Sequence, residues 1–205
     1  MTEKTMKAIK ELREKAKKRK FPQSFDLIIS LKEFDTKKAE NKFIEDIFLP
    51  HGRGKEASVV VFSDSLKDLG SEVLTTEDVN GLAKNKRKTK KLITNTDFFL
   101  AESKMMPLIG KSFGQFLAPR GKMPKIMSGD EKDLVKNYKR AVRIRIKDSP
   151  VIQCLVGNED MKDEEVEENI ESIIKFLESR LPKGKQNFGK ILLKMTMSDS
   201  VKIGA

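Results

Sequence analysis

Histidine and cysteine occur once each in this 205-residue sequence, tyrosine once and tryptophan not at all. The single histidine, His51, leaves one candidate for a His-centred triad and excludes a multi-histidine metal site. Cys154 alone excludes an intramolecular disulfide framework. Inside "VIQCLVGN" it reads as a buried strand thiol in a reducing cytosol, a poor setting for thiol catalysis. With no tryptophan and one tyrosine, a broad base-stacking platform is not expected. No apolar run approaches the length of a membrane span, and "MTEKTMKAIKELREKAKKRK" lacks the apolar region a signal peptide needs, so a cytoplasmic protein without a membrane partner is expected. The glycines of "HGRGK" and "PRGKMP" match neither the phosphate-loop nor the dinucleotide pattern. No cofactor or resident metal is implied: the acidic run "NEDMKDEEVEEN", 158–169, reads as the negative first turn of a helix, capped by Asp163 or a neighbour.

What the sequence has in excess is positive charge. Lys and Arg number 42 against 31 Asp and Glu, a formal net charge of +11. That balance favours a polyanionic partner, because basic side chains displace the counterions condensed on phosphates; the alternative is a Lys-rich surface of the kind seen in thermophile proteins. Basic residues cluster in "KNKRKTKK", Lys84 to Lys91, and in "PRGKMPK", Pro119 to Lys125. Composition leaves the first cluster evenly divided between a phosphate-binding strip and a solvated helix face. Phe21, after the run Lys15, Lys17, Lys18, Arg19 and Lys20, presents a ring beside five cations.

Periodicity organises the chain into two domains. Met6, Ile9, Leu12 and Ala16 predict an amphipathic helix whose end carries that basic run and stops at Pro22. "FDLIISLK" and "FIEDIFL" then predict a strand pair covered by the helix. The breakers Pro50, Gly52 and Gly54 in "LPHGRGK" precede a change of character. "SVVVF" is a continuous apolar run of the type buried on both faces of a parallel sheet. A short helical stretch, a strand "SEVL", helices around "TTEDVNGLAK" and "KRKTKKLI", and a strand "DFFLA" follow. Two Gly/Pro-rich loops in "MMPLIGKSFGQFLAPRGKMPK", a helix "GDEKDLVKNYKR" and a strand "AVRIRI" would complete this part, before "KDSP" with Pro150 punctuates the chain again. A strand "VIQCLVGN", an amphipathic helix and a last strand "GKILLKMTM" remain. The expected fold is a discontinuous α+β domain, helices on an antiparallel-rich sheet, from residues 1–62 and 151–205, with an inserted α/β Rossmann-like domain at 63–150. Pro50, Gly52, Gly54 and Pro150 are the candidate residues of a double-crossing hinge, with His51 a hinge or surface residue.

On residues alone three functions stay open: an RNA-binding protein, an α/β enzyme using the inserted domain's crevice for a nucleotide or phosphorylated substrate, and a nonspecific DNA-binding architectural protein. The enzyme would need a phosphate-cradling loop or a paired acid and base at strand ends, and neither is legible.

"RKFPQSFDLIISLK", "LPHGRGKEA", "LAKNKRKTKKL", "DFFLAESKMMPLIGK", "FLAPRGKMPK", "VGNEDM" and "KMTMSDSVKI" favour the first. In order and spacing these segments resemble the large-subunit ribosomal protein L-one family, in its archaeal form, nearly end to end. The resemblance implies a two-domain fold, a discontinuous domain that grips the large-subunit (23S-type) rRNA of the mobile stalk, and an inserted domain with lesser contacts. It further implies other large-subunit components as neighbours, assistance to release of deacylated tRNA from the exit site, and repression of translation from the protein's own mRNA. The family's RNA contacts fall on Lys20, Phe21 and Ser24, on a loop containing Lys37, Lys38 and Asn41, and on Thr196, Met197 and Ser198. Cation, ring and hydroxyl would meet phosphate, ribose or base, and backbone oxygens or 2′-OH groups. Three positions depart from the family pattern: Ala118 and Ser198 stand where glycine is usual, and Asp199 where archaeal members often have proline. Ser198 forfeits glycine's conformational freedom, and Asp199 is expected to repel phosphate.

Overall fold

The computed structural model describes residues 2–17, 19–66 and 70–204, so Lys18 of the basic run lies outside the described residues. Part of the short helical stretch expected after Phe62 does too, at residues 67–69. The chain forms two compact units, one from residues 1–55 and 140–205, the other from 56–139. Mixed α/β structure fills both, with three sheets and six α-helices among the described residues.

The discontinuous unit holds α1 (Thr2–Lys15), β1 (Ser24–Leu31), β2 (Phe43–Phe48), β7 (Ala141–Ile146), β8 (Val151–Asn158), α6 (Asp163–Arg180), β9 (Phe188–Met195) and β10 (Val201–Gly204). Its main sheet runs β10-β9-β1-β8, every pair antiparallel. Period-2 alternation buries Phe25, Leu27, Ile29 and Leu31 of β1 with Ile191, Leu193 and Met195 of β9 on one face. Onto that face fold α1, through Ala8, Ile9 and Leu12, and α6, through Val166, Ile170, Ile173, Ile174 and Leu177. Each fully buried aliphatic side chain contributes about 1.5–3 kcal/mol, so α6 is held mainly by this stripe. Helix α6 starts after Lys162, whose N–H donates to Glu165 Oε2 at 3.1 Å; Asp163 sits in the first turn and pairs with Arg13 instead of capping. The helix α1 stops at Lys15, leaving Lys17, Arg19 and Lys20 outside regular structure.

The expected pairing of the first two strands does not occur. β1 is the inner partner of β8 and β9, and β2 pairs antiparallel with β7, from Phe43↔Ile146 to Phe48↔Ala141. Consequently "AVRIRI" belongs to the discontinuous unit, and Pro150 connects β7 to β8 within that unit, away from either crossing.

The contiguous unit holds β3 (Val59–Phe62), β4 (Glu72–Leu74), α2 (Thr76–Lys84), α3 (Lys86–Asn95), β5 (Phe98–Ala101), α4 (Met106–Leu117), β6 (Lys125–Ile126) and α5 (Glu131–Lys139). Its sheet, β4-β3-β5-β6, is wholly parallel. All four residues of β3 and of β5 are buried, the consequence of covering both faces with helices. Phe62 stacks on Phe99 at 5.7 Å between ring centroids, and Phe98 meets Tyr138 edge-on at 5.5 Å. Because β3 is an inner strand of this sheet, the boundary falls at 55/56, ahead of the expected 62/63; because β7 pairs with β2, the return falls at 139/140 instead of 150/151. One of the two expected Gly/Pro-rich loops is α4. Pro107 lies in its first turn, where no N–H partner is required, and Ile109, Phe113 and Leu117 recur four apart on its buried face.

Candidate nucleic-acid interface

One end of the main sheet gathers residues from both ends of the chain. Ser24 opens β1 opposite Asn158, and Phe25 faces Met195, so the connections α1–β1, β9–β10 and β8–α6 meet there. Thr196 continues the ladder: its N–H donates to Ser24 O at 3.1 Å, and its Oγ1 accepts from Ser24 N at 3.0 Å. Gln23, 1% exposed, ties the three connections together. Its N–H donates to Glu159 Oε2 (3.0 Å), its carbonyl accepts from Glu159 N (2.8 Å), its Oε1 accepts from Met197 N (3.1 Å), and its Nε2 donates to Lys17 O (3.3 Å). Arg13 adds a second tie, donating to Asp163 Oδ1 at 2.7 Å, to Glu159 O at 2.6 Å and to Met161 O, with its guanidinium over the Phe25 ring. Neither Gln23 nor Arg13 stands out in the sequence.

On this frame Phe21 and Met197 are 47% and 60% exposed, two large apolar side chains at one strand end. Ser198 closes the turn. Its N–H donates to Met195 O (3.1 Å), and its Oγ accepts from Met195 N (2.9 Å) and donates to Asp199 O (2.9 Å). Among the described residues Glu33 is the only non-glycine with positive φ, so the turn at Ser198 does not require glycine, contrary to the expected loss. Beside it lies an open cavity of about 480 Å³ between the end of α1 and the 197–202 segment. Lys15, Lys17, Arg19 and Lys202 line it, together with Glu11 and Asp199. The Glu11 carboxylate, and more weakly Asp199, hold the Lys15 ammonium above its ordinary value. Asp199 thus stands among cations.

Lys37, Lys38 and Asn41 are elsewhere. Their loop follows Leu31, at the opposite end of β1, about 23 Å from Ser24 along the strand. Lys37 and Lys38 are exposed, and Asn41 Nδ2 fixes the loop by donating to Asp35 O at 2.7 Å. The structure therefore brings Lys20, Phe21, Ser24, Thr196, Met197 and Ser198 to one end of the sheet and leaves the other three at the far end. Gly52 and Gly54 have φ of +69° and +83°, and a Cβ at Gly54 would lie 2.3 Å from Asn158 Cβ. Asn169, fully buried on α6, donates to Gly52 O (2.7 Å) and Val156 O (2.9 Å) and accepts from His51 N (3.2 Å). His51 Nε2 lies 2.6 Å from Glu168 Oε2. The Pro50–Gly54 segment is accordingly anchored to α6. Cys154 is buried on β8, and burial pushes its thiol up to about 12, which keeps it protonated and unreactive.

Exposed apolar groups, hydroxyls and cations thus share one open end of the main sheet. The comparisons identify the family. The model of the ribosomal protein L1p/L10e family matches residues 12–199. Proteins called large ribosomal subunit protein uL1 are similar along nearly their whole length. The one from Methanocaldococcus jannaschii is 42% identical over 97% of this chain and 94% of its own. That from Methanobrevibacter smithii is 38% identical over 99% and 100%, and that from Thermococcus kodakarensis 37% over 98% and 97%. The chain belongs to the ribosomal protein L1p/L10e family. It is a structural ribosomal component, not an enzyme, which removes the nucleotide-enzyme alternative.

Proposed function

We propose that this protein is a constituent of the large ribosomal subunit that binds rRNA directly through the Ser24/Thr196 end of its main sheet. The observation that carries the reading is the gathering of exposed Phe21 and Met197 and the Thr196 hydroxyl with Lys20, Arg19 and Lys17, where the buried Gln23 bonds to Met197 N and Lys17 O. Phosphates would meet the cations, a ribose or base the Phe21 ring, and a 2′-OH the Thr196 hydroxyl, whose proton has only a long 3.4 Å contact to Ser24 O. Lys37, Lys38 and Asn41 would form a separate contact on the same RNA. In this reading the protein and its rRNA make the mobile stalk. The contiguous unit, Rossmann-like in its parallel sheet, swings about the crossings near Gly54 and Arg140, and the stalk helps deacylated tRNA leave the exit site. Recognition of a similar RNA fold in its own mRNA would repress translation.

Filter binding to the stalk rRNA across a salt series tests the site. Phe21→Ala and Thr196→Val should each weaken binding about tenfold with unchanged thermal unfolding, whereas Lys88→Ala should change it less than about threefold. The reverse ranking refutes the placement. Equal affinity and equal salt slope for duplex DNA of the same length would reduce the protein to a nonspecific electrostatic binder.

A further inference from the structure

A second surface lies in the contiguous unit. Between residues 84 and 125 the sequence carries eleven Lys and Arg against two acidic residues, Asp97 and Glu102. Helix α3 concentrates this charge. Thr89 and Ile93 bury one face, and Lys86, Arg87, Lys88, Lys90 and Lys91 are all exposed. This arrangement opposes helix stability in two ways. Lys86, Arg87 and Lys88 occupy the first turn, the positive end of the helix dipole, with no acidic residue there. Lys86 with Lys90, and Arg87 with Lys91, are like charges four apart, which repel across one turn.

No ion pair is found for these five cations among the described residues, in contrast to Lys15, Lys139 and Lys175, each beside a carboxylate. A thermophile-type ion-pair network needs both signs, so it does not explain the cluster. The strip is also held rigidly and extended sideways. Asn85 caps α3 by accepting from Lys88 N at 3.2 Å, and Thr89 Oγ1 donates to Leu82 O at 2.7 Å, locking α3 to α2. Lys90 lies 5.9 Å over the Phe116 ring of α4. From the loop after α4, Arg120 reaches Thr94 Oγ1 at 3.2 Å. Arg87 and Lys91 are about 6 Å apart along the axis, on the scale of two phosphate steps of a duplex strand, each roughly 3.4 Å along the axis in DNA.

The geometry points to the exposed face of α3 as a second RNA-binding surface that takes the phosphate backbone of a duplex without reading sequence. Its occupant differs from that of the Ser24/Thr196 end in needing no exposed base or 2′-OH. A polyanion relieves repulsion that the free protein carries unrelieved, and that asymmetry argues for phosphate over an acidic protein patch, whose fixed carboxylates would match fewer of five closely spaced cations.

The test uses the full chain carrying Lys86→Gln, Arg87→Gln, Lys88→Gln and Lys91→Gln together, titrated with a generic 20-base-pair RNA duplex, the same duplex as DNA, and the stalk rRNA. The RNA duplex should bind about tenfold or more weakly, with a salt slope shallower by two or more, while stalk rRNA loses less than about threefold. The thermal midpoint should rise by about 2 °C, because the substitutions remove the clash with the dipole. Unchanged duplex binding and slope overturn the proposal, as does polyglutamate competing as well as the RNA duplex, which would make the strip an acidic-protein site. Loss confined to the DNA duplex overturns it too. A Phe21→Ala, Thr196→Val protein that loses stalk rRNA but keeps duplex binding separates failure of one surface from failure of the other.

Discussion

Replacing Ser198 by glycine should destabilise this protein. Two hydrogen bonds depend on the Ser198 hydroxyl, one accepted from Met195 N at 2.9 Å and one donated to Asp199 O at 2.9 Å. Met195 is fully buried, and a partly desolvated N–H that loses its acceptor costs about 1–3 kcal/mol, less where water reaches it. Glycine adds about 0.5–1 kcal/mol of backbone entropy and gains nothing, since φ here is not positive. The sum is about 2 kcal/mol, or a fall of about 4–8 °C in the thermal midpoint for a chain of this size. Circular dichroism melts of Ser198→Gly and Ser198→Ala separate the two contributions: alanine should lose the hydroxyl's share, and glycine more. Stalk rRNA affinity should fall in the same order, because the turn aims Met197. A glycine variant as stable as the parent would show that the hydroxyl does not close the turn.

Asp199→Asn removes the negative charge beside Lys15, Lys17 and Arg19, and should tighten rRNA binding about threefold at low salt and scarcely at all near 1 M, since an exposed charge is screened there; a gain that persists at high salt would contradict an electrostatic cause. Asn169→Ala strips Gly52 O and Val156 O of their donor and His51 N of its acceptor, at a cost of about 2–4 kcal/mol. Amide exchange at 51–54 should then accelerate ahead of exchange in β1, and equal protection in both proteins would show that Asn169 is not the anchor.

Local pattern made the strands and helices legible, because burial imposes period 2 on β1 and a 3.6-residue stripe on α6. It could not show pairing. Phe43–Phe48 finds its partner nearly one hundred residues on, in Ala141–Ile146, and nothing inside either segment names the other; the second expected domain boundary moved for that reason, and the first because Val59–Phe62 pairs with Phe98–Ala101. Pro107 and the glycines of α4 read as breakers because their helical tolerance depends on the buried Ile109, Phe113 and Leu117. Val201–Gly204 lies beyond the strand expected to be the last, yet Ile203 is buried and the segment pairs with β9. The interface residues came from motif resemblance. Gln23 and Asn169, which organise their surroundings, are polar residues at core positions, a signal visible in the spacing of Val166, Asn169, Ile170 and Ile173 once the apolar face is drawn.

The position of β1 between β8 and β9 has a consequence for how the protein is made. Domains normally fold in the order of synthesis. Here the first strand to leave the ribosome has no sheet to join until residues 151–195 have been translated, because both its partners lie beyond the contiguous unit. Residues 56–139 hold all their own strand pairings and are free to fold first. During that interval Phe25, Leu27, Ile29 and Leu31 stay uncovered, an apolar stretch that a growing chain must keep from aggregating. The fully assembled Ser24/Thr196 end of the sheet is thus among the last features of the molecule to exist.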